Sequence, residues 1–271
     1  MTELKAALVI QNCIAGRFEQ NIESSCSFIE KAAAKGAHLA VFPEMNLTGY
    51  VTGADICSIA RPIDESLTRI FTTLAQSLNI TILTGLAEKG QNKKVHATHL
   101  VFSPDGRWSK YRKIHLSPPE QNFLCPGNQI RIFKTHGFRF AVQLCYDAHF
   151  PELSLSMSLK GADIIFIAHA SPRGNPEEKF ISWTRHLTAR AFDNGIYIAA
   201  LNQTGKNGRN LDFPGLSLLI GPDGNIIDRS VSETGQEKIH VVTIDKAMLD
   251  KIRSHRMKYF LPNRRGDLFE I

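Results

Sequence analysis

The sequence predicts an α/β protein in which helices cover β-sheets, within one domain spanning 1–271. Apolar runs with strand character alternate with segments whose apolar residues recur at helical spacing. Two turn clusters, Pro104-Asp105-Gly106 and Gly221-Pro222-Asp223-Gly224, separate strand-like runs and predict hairpins. No linker, repeat or low-complexity tract divides the chain. The alternation fits two sheets packed face to face and equally one doubly wound sheet.

The elements follow in order. Ala6 to Gln11 reads as a buried strand. Phe18 to Lys35 is helical, with Ile22, Cys26, Phe28, Ile29 and Ala33 at helical spacing, and Gly36 stops it. His38 to Phe42 is a short strand ending at Pro43. Glu65 to Leu78 is helical, with Leu67, Ile70, Phe71, Leu74 and Leu78 on one face. Ile80 to Leu86, Ala97 to Ser103 and Trp108 to Lys113 are strands. Phe138 to Leu144 is a strand, Glu152 to Lys160 a helix, and Asp163 to Ala168 a strand. Lys179 to Asn194 is a helix closed by Gly195. Ile196 to Leu201, Leu216 to Ile220, Gly224 to Asp228 and Ile239 to Ile244 are strands, and Lys246 to Arg256 is a helix.

Bulk properties narrow the class. The 43% hydrophobic content is ordinary for a globular protein. No apolar stretch is long enough to cross a bilayer, so no membrane role is expected. Met1 to Ala6 runs directly into a strand without a charged-then-apolar leader, so no secretory signal is expected. Five cysteines, odd in number and unpaired in pattern, predict a reducing, cytoplasmic setting. Cys13, Cys26, Cys57 and Cys125 lack ligand spacing, and His96, His99, His115, His149, His169 and His186 form no ligand pair on a helix. No metal is expected. The net charge is +6, but the densest basic cluster is only Lys251, Arg253, Arg256 and Lys258, followed by Arg264-Arg265. Without a continuous basic face or a motif, no nucleic-acid partner is expected. These cations are read as a solvated helix with contacts to carbonyls, carboxylates or a second subunit.

Three strand ends carry chemistry. Cys145 closes the apolar run Phe138 to Leu144, Glu44 follows Val41-Phe42-Pro43, and Lys113 ends Tyr111-Arg112-Lys113. Each alone has an ordinary reading: core filler, loop carboxylate, basic strand face. Together they form a catalytic set. A thiol at its free pKa of ~8.5 needs a base or a nearby cation. A glutamate takes its proton and later delivers it to a leaving amine. An ammonium stabilises an oxyanion, helped by the Tyr146 backbone N–H. Strand alternation places Tyr111 and Lys113 on one side and Arg112 on the other. The trio supports acyl transfer from an amide-like or nitrile-like substrate to water through a thioester. It requires no metal and no organic cofactor.

FPE ending at Glu44, YRKIHL around Lys113 and CYDAHFPE around Cys145 resemble, in order and spacing, the three signature segments of the nitrilase superfamily of carbon–nitrogen hydrolases. Asn46 to Tyr50, Ala189 to Asn194, Gly215 to Ser217 and the Arg264 to Phe269 tail extend the resemblance over essentially the whole chain. It implies an α-β-β-α sandwich pairing through helices into a homodimer or a larger homo-oligomer that binds a small-molecule substrate. It maps Cys145 as nucleophile, Glu44 as general base and acid, and Lys113 as oxyanion stabiliser. Glu120, ahead of Pro126-Gly127, fits a further glutamate that supports the site.

Tyr50, Tyr146, Phe150, Ser171 and Trp183 are candidate substrate contacts; Tyr50, Phe150 and Trp183 read equally as core or interface aromatics. His149 stands where relatives often carry arginine, and Ala170 to Asn175 matches no named subgroup. The expected activity is hydrolysis of a small amide or N-carbamoyl compound. A nitrilase, an N-acyltransferase or amide synthase, and a non-enzymatic binding module are the alternatives.

Overall fold

The structure is a computed structural model that describes residues 2–232 and 235–269. Met1, where the leader-free start was read, and the last two residues of the 1–271 span lie outside the described residues. The elements in chain order are β1 (Glu3–Ile10), α1 (Phe18–Ala34), β2 (Leu39–Val41), α2 (Asp55–Ile59), α3 (Glu65–Ser77), β3 (Thr81–Lys89), β4 (Val95–Phe102) and β5 (Trp108–Arg112). Then come β6 (Phe133–Thr135), β7 (Phe138–Leu144), α4 (Pro151–Leu159), β8 (Ile164–His169), α5 (Pro176–Asn194) and β9 (Tyr197–Asn202). The chain ends with β10 (Gly205–Lys206), β11 (Asp212–Phe213), β12 (Leu216–Ile220), β13 (Ile226–Val231), β14 (Lys238–Asp245) and α6 (Lys246–Arg253).

β1 shows why two layers meet it. Leu4, Ala6 and Leu8 join one apolar core, while Ala7 and Val9 join another. That is the period-two alternation of a strand buried on both faces. One sheet runs β14-β1-β2-β3-β4-β5 and the other β13-β12-β9-β8-β7-β6. Both are mixed, with parallel pairs at β1-β2, β2-β3, β7-β8 and β8-β9. The larger core takes Leu8, Val41 and Leu83 from the first sheet and Phe140, Ile165, Ile198 and Leu218 from the second. The sheets therefore pack face to face. The smaller core joins the outer face of the first sheet to Phe28 and Ile29 of α1 and Leu67 and Phe71 of α3. Helix α5 packs on β9 and β12, with α4 alongside it. The result is the four-layer α-β-β-α sandwich, and the doubly wound alternative is excluded.

The predicted elements are present, with shifts at their ends. Helix α5 starts at Pro176, three residues before the predicted Lys179. Asn175 accepts the Glu178 N–H at 2.9 Å, the Glu178 carboxylate accepts the Asn175 N–H, and Pro176 fills the first turn. α6 stops at Arg253, short of the predicted Arg256. There Arg253 turns inward, bonding the Gly195 and Ala162 carbonyls and pairing with Asp163 at 2.7 Å. The strand predicted over Gly224 to Asp228 is β13, which starts two residues later because the turn uses Gly224 at φ 78°. α2, β6 and the β10–β11 pair carried too few residues to show a period.

Candidate active site

The chain leaves β2 through Phe42, whose N–H donates to the Leu83 carbonyl at 2.9 Å, and reaches Glu44 one residue past Pro43. Its backbone lies hard against β3. A Cβ on Gly85 would sit 2.0 Å from the Glu44 carbonyl oxygen, so only glycine fits there. Asn46 Oδ1 accepts the Gly85 N–H at 2.7 Å and the Thr84 hydroxyl at 2.9 Å. Burial pushes His99 down to about 4, keeping it neutral, and its Nε2 reaches the Pro43 carbonyl at 3.2 Å. The Glu44 N–H reaches the His169 carbonyl at 3.4 Å, tying the end of β2 to the end of β8 in the opposite sheet.

Lys113 follows β5. Its N–H donates to the Ala97 carbonyl at 2.9 Å and its own carbonyl accepts the Gly127 N–H at 2.7 Å. Tyr111 and Lys113 point inward and are buried, while Arg112 points out to Glu88. The Lys113 ammonium donates to Glu44 Oε1 at 2.7 Å and to both Glu120 oxygens at 2.8 and 2.9 Å. Glu120 also accepts the Ser117 N–H at 2.8 Å and the Tyr50 hydroxyl at 3.3 Å. Glu44, Lys113 and Glu120 are each at most 1% exposed. Ions held in such a place survive only by bonding one another.

Cys145 directly follows β7 with φ 41°, in the left-handed region that side-chain-bearing residues rarely adopt. Such a conformation costs on the order of 1–3 kcal/mol and persists only when its surroundings enforce it. Asp147 enforces it. Its carboxylate accepts the Leu144 N–H at 3.0 Å, the Tyr111 hydroxyl at 2.8 Å and the His115 N–H at 2.8 Å. The Cys145 turn is thus pinned to the end of β5, which Lys113 follows. Cys145 itself remains partly exposed.

The charges set the resting protonation. Burial pushes the Cys145 thiol up to about 12; Glu44 and Glu120 add to the rise, against Lys113 and Lys179. The two carboxylates thus offset the ammonium at the thiol. Burial also raises Glu44, to about 7, with Glu120 and Asp147 pushing the same way against Lys113. Burial disfavours the Lys113 ammonium, but Glu44 and Glu120 outweigh it and hold its pKa well above the usual lysine value. A neutral thiol therefore sits near a carboxylate poised to take or give a proton near neutral pH. Glu44 Oε2 is buried and has no hydrogen-bond partner among the described residues.

The remaining predicted residues fall around this cluster. Tyr50 is buried and bonded to Glu120. Tyr146 meets Phe150 edge-on at 5.5 Å, and Phe150 stacks on His115 at 3.8 Å. Trp183 stacks on His169 at 4.1 Å. Ser171 accepts from the Lys179 ammonium at 2.6 Å. His149, at the position often arginine, stacks on His186 at 4.6 Å. The sequence reading missed Asp147, Lys179 and His169. Lys179 was findable: Lys179, Trp183, Leu187 and Ala191 are buried along one stripe of α5, and a lysine on an apolar stripe is anomalous. Asp147 had no such signal. A wide surface cavity lined by Glu88, Lys110, Arg112 and Cys125 includes none of Glu44, Lys113 or Cys145. Among the described residues no group of three or more His, Cys, Asp or Glu side chains is placed to hold a metal, and no helix is long and apolar enough to cross a membrane.

An acid–ammonium–thiol cluster at the strand ends of a four-layer sandwich defines a class, and comparison with known proteins assigns it. The carbon-nitrogen hydrolase family model matches residues 5–254, so the chain belongs to that family, within the nitrilase superfamily. It is similar to a nitrilase of Pyrococcus abyssi, 31% identical over 98% of this chain and 99% of that protein. It is also similar to a 2-oxoglutaramate amidase of Bacillus subtilis, 31% identical over 81% of this chain and 83% of that protein. Among solved structures, a carbon-nitrogen hydrolase from Helicobacter pylori superposes with a TM-score of 0.86 at 25% identity, covering 99% of this chain and 97% of that one. These relatives support a carbon–nitrogen hydrolase.

Proposed function

We propose that the protein hydrolyses a non-peptide C–N bond of a small amide or N-carbamoyl compound through a thioester on Cys145. The observation that carries this reading is the Lys113 ammonium bridging Glu44 and Glu120, with Glu44 Oε2 left unbonded in the same electrostatic cluster as the thiol. Glu44 takes the Cys145 proton as sulfur bonds the carbonyl carbon. Lys113 and the Tyr146 N–H stabilise the oxyanion. The C–N bond breaks as Glu44 returns the proton to the leaving ammonia or amine. Water then gives a proton to Glu44 and its hydroxyl to the thioester. The acid departs, and the proton goes back to sulfur. Glu120 fixes the lysine, while Tyr50, Tyr146, Phe150, Ser171 and Trp183 line the substrate.

A nitrilase reaction is the second reading, favoured by the likeness to the Pyrococcus abyssi protein. A panel of ω-amides, aliphatic amides, N-carbamoyl amino acids and nitriles, read for ammonia and acid together, tests both. Stoichiometric ammonia and acid from an amide supports the proposal. Acid from nitriles alone supports the second reading, and turnover that needs an amine acceptor indicates a transferase. We further propose one catalytic domain over 1–271 that pairs as a homodimer through the outer helices, where Leu159, Ile181 and Phe192 are exposed. Light scattering that returns a monomer overturns the pairing. The five cysteines are all free thiols, which supports a cytoplasmic setting.

A further inference from the structure

The outer face of β5, the edge strand of its sheet, carries cations that the reaction above does not use. Trp108, Lys110 and Arg112 stand opposite Phe102, Leu100 and Thr98 of β4. Phe102 and Leu100 belong to the core under α1 and α3, so these three β5 side chains share that outer side, away from Tyr111.

Glu88 fixes two of the cations. It is 4% exposed and accepts Lys110 at 2.6 Å, Arg112 at 2.7 and 2.8 Å, and the Thr98 hydroxyl at 2.7 Å. Burial would raise its carboxyl, but these bonds outweigh burial and hold it at about 2, so it stays an anion. Both of its oxygens are occupied by these donors. The cations are not used up in the same way. Arg112 has five N–H donors and gives two here; Lys110 has three and gives one. Glu88 therefore orients the pair and leaves one positive charge uncompensated.

A cavity of about 1060 Å³ opens over this cluster. That is the upper end of the range for small-molecule sites. Lys89 to Lys94, between β3 and β4, forms one wall, and Cys125 to Asn128 the other. The second wall is fixed at Gly127, where a Cβ would lie 2.3 Å from the Arg112 carbonyl oxygen. A smaller cavity of about 200 Å³ adjoins it, sharing Lys110, Arg112, Gly127 and Asn128 and adding Arg131. Arg131 is held by Gln129 at 3.0 Å and Ser109 Oγ at 2.9 Å. Lys89, Lys94, Lys110, Arg112 and Arg131 thus face the single carboxylate of Glu88. That is an excess of four positive charges, where the whole chain's excess is six. Trp108 lines the same cavity and is 43% exposed, tilted against Phe102 at 6.3 Å. Successive outer-face residues of a strand lie roughly 7 Å apart, so an aromatic platform is followed by two oriented cations.

We propose that this groove binds a nucleoside diphosphate or triphosphate, with the base against Trp108 and the phosphates on Lys110, Arg112 and Arg131. The excess charge selects a polyphosphate, and the planar donor fork of Arg112 suits phosphate oxygens. The exposed indole selects a ligand with an aromatic ring. None of Glu44, Lys113 or Cys145 lines either cavity, so the proposal stands whether or not the amide-hydrolase reading does.

Calorimetry with ADP, inorganic triphosphate and adenosine at near-physiological salt tests it. ADP should bind saturably at one site, about tenfold or more tighter than adenosine, as loss of a charge-assisted bond predicts. Lys110→Gln and Arg131→Gln should each weaken ADP by about tenfold or more. Trp108→Ala should weaken ADP by about fivefold or more, the contribution of one stacked base, and leave inorganic triphosphate unchanged. Lys110 is tied to Glu88, so circular dichroism checks the folding of that variant. Lys94→Gln, exposed and outside the Glu88 bonds, is the second variant and should weaken both phosphate ligands. Absence of saturable ADP binding by the wild type overturns the proposal. So does ADP binding that is unchanged by Lys110→Gln, Arg131→Gln and Lys94→Gln, which would place the nucleotide elsewhere. ADP affinity insensitive to Trp108→Ala removes the base contact and the nucleotide assignment with it. Binding of single-stranded RNA in place of ADP overturns it in favour of a polymer.

Discussion

Lys113 donates to Glu44 at 2.7 Å where both side chains are cut off from water. The ammonium meets Glu120 on its other side at 2.8 Å. Two carboxylates share one cation, so the cluster carries surplus negative charge whenever both are ionised. That surplus, with burial, lifts Glu44 toward neutrality and keeps the Cys145 thiol protonated at rest.

Lys113→Met leaves two carboxylates buried together without a cation. It should destabilise the protein by about 3–5 kcal/mol near neutral pH, as breaking a buried pair does. Adding Glu120→Gln should recover part of the loss. Urea unfolding of the two single variants and the double variant measures the coupling. Strict additivity would show that the bridge contributes nothing.

Glu44 must be ionised to accept the thiol proton, and burial raises it to about 7. The rate kcat/KM should therefore fall as pH drops through about 7. Glu44→Gln should remove both the activity and this acid limb. A wild-type acid limb near the ordinary glutamate value would show that another group is the base.

The same shift affects stability. A carboxyl raised from 4.5 to about 7 on folding binds its proton more tightly in the folded state. Its contribution is complete below pH 4.5 and is lost as pH climbs through about 7. The loss is roughly 3 kcal/mol, from about 1.4 kcal/mol per pH unit. Thermal unfolding of Glu44→Gln against wild type over pH 4–8 should show the variant gaining relative stability toward the alkaline end. A constant difference would contradict the raised pKa.

Cys145→Ala should abolish turnover and leave the fold intact. The unfolding midpoint and circular dichroism should match wild type closely, since the sulfur makes no bond that holds the sandwich together. Residual hydrolysis at the wild-type rate would remove Cys145 from the chemistry.

Asp147→Asn keeps the shape of the brace but replaces one accepting oxygen with a donor. The Leu144 N–H, Tyr111 hydroxyl and His115 N–H then lose part of their shared acceptor. We expect a stability loss of about 1–3 kcal/mol. Activity should fall at least about tenfold, since misplacing a nucleophile by an ångström costs that much or more. Unchanged kinetics would mean the turn holds Cys145 without Asp147.

Strand ends were legible because burial imposes a period on the residues themselves, whereas that period fitted one sheet or two and the layer order was implied only by the family resemblance. In β1 the alternate residues feed two cores, and in β5 the alternation turned Tyr111 and Lys113 inward as expected. Short elements such as α2 and β6 span too few residues to show a period. The start of α5 was signalled by Asn175-Pro176 with Glu178, a cap that periodicity alone does not reveal. Lys179 lay on a readable apolar stripe, but its neighbourhood with Cys145 depends on α5 folding back across β9 and β12.

Composition, strand period and three separated motifs determined which side chains can do chemistry here, because residue type and alternation are local properties. Distances and protonation belong to the folded molecule. That Glu44 and Lys113 touch, that Asp147 holds Cys145 in a left-handed turn, and that the thiol rests neutral follow from residues far apart in the chain sharing one water-poor place, where each charge is set by its neighbours.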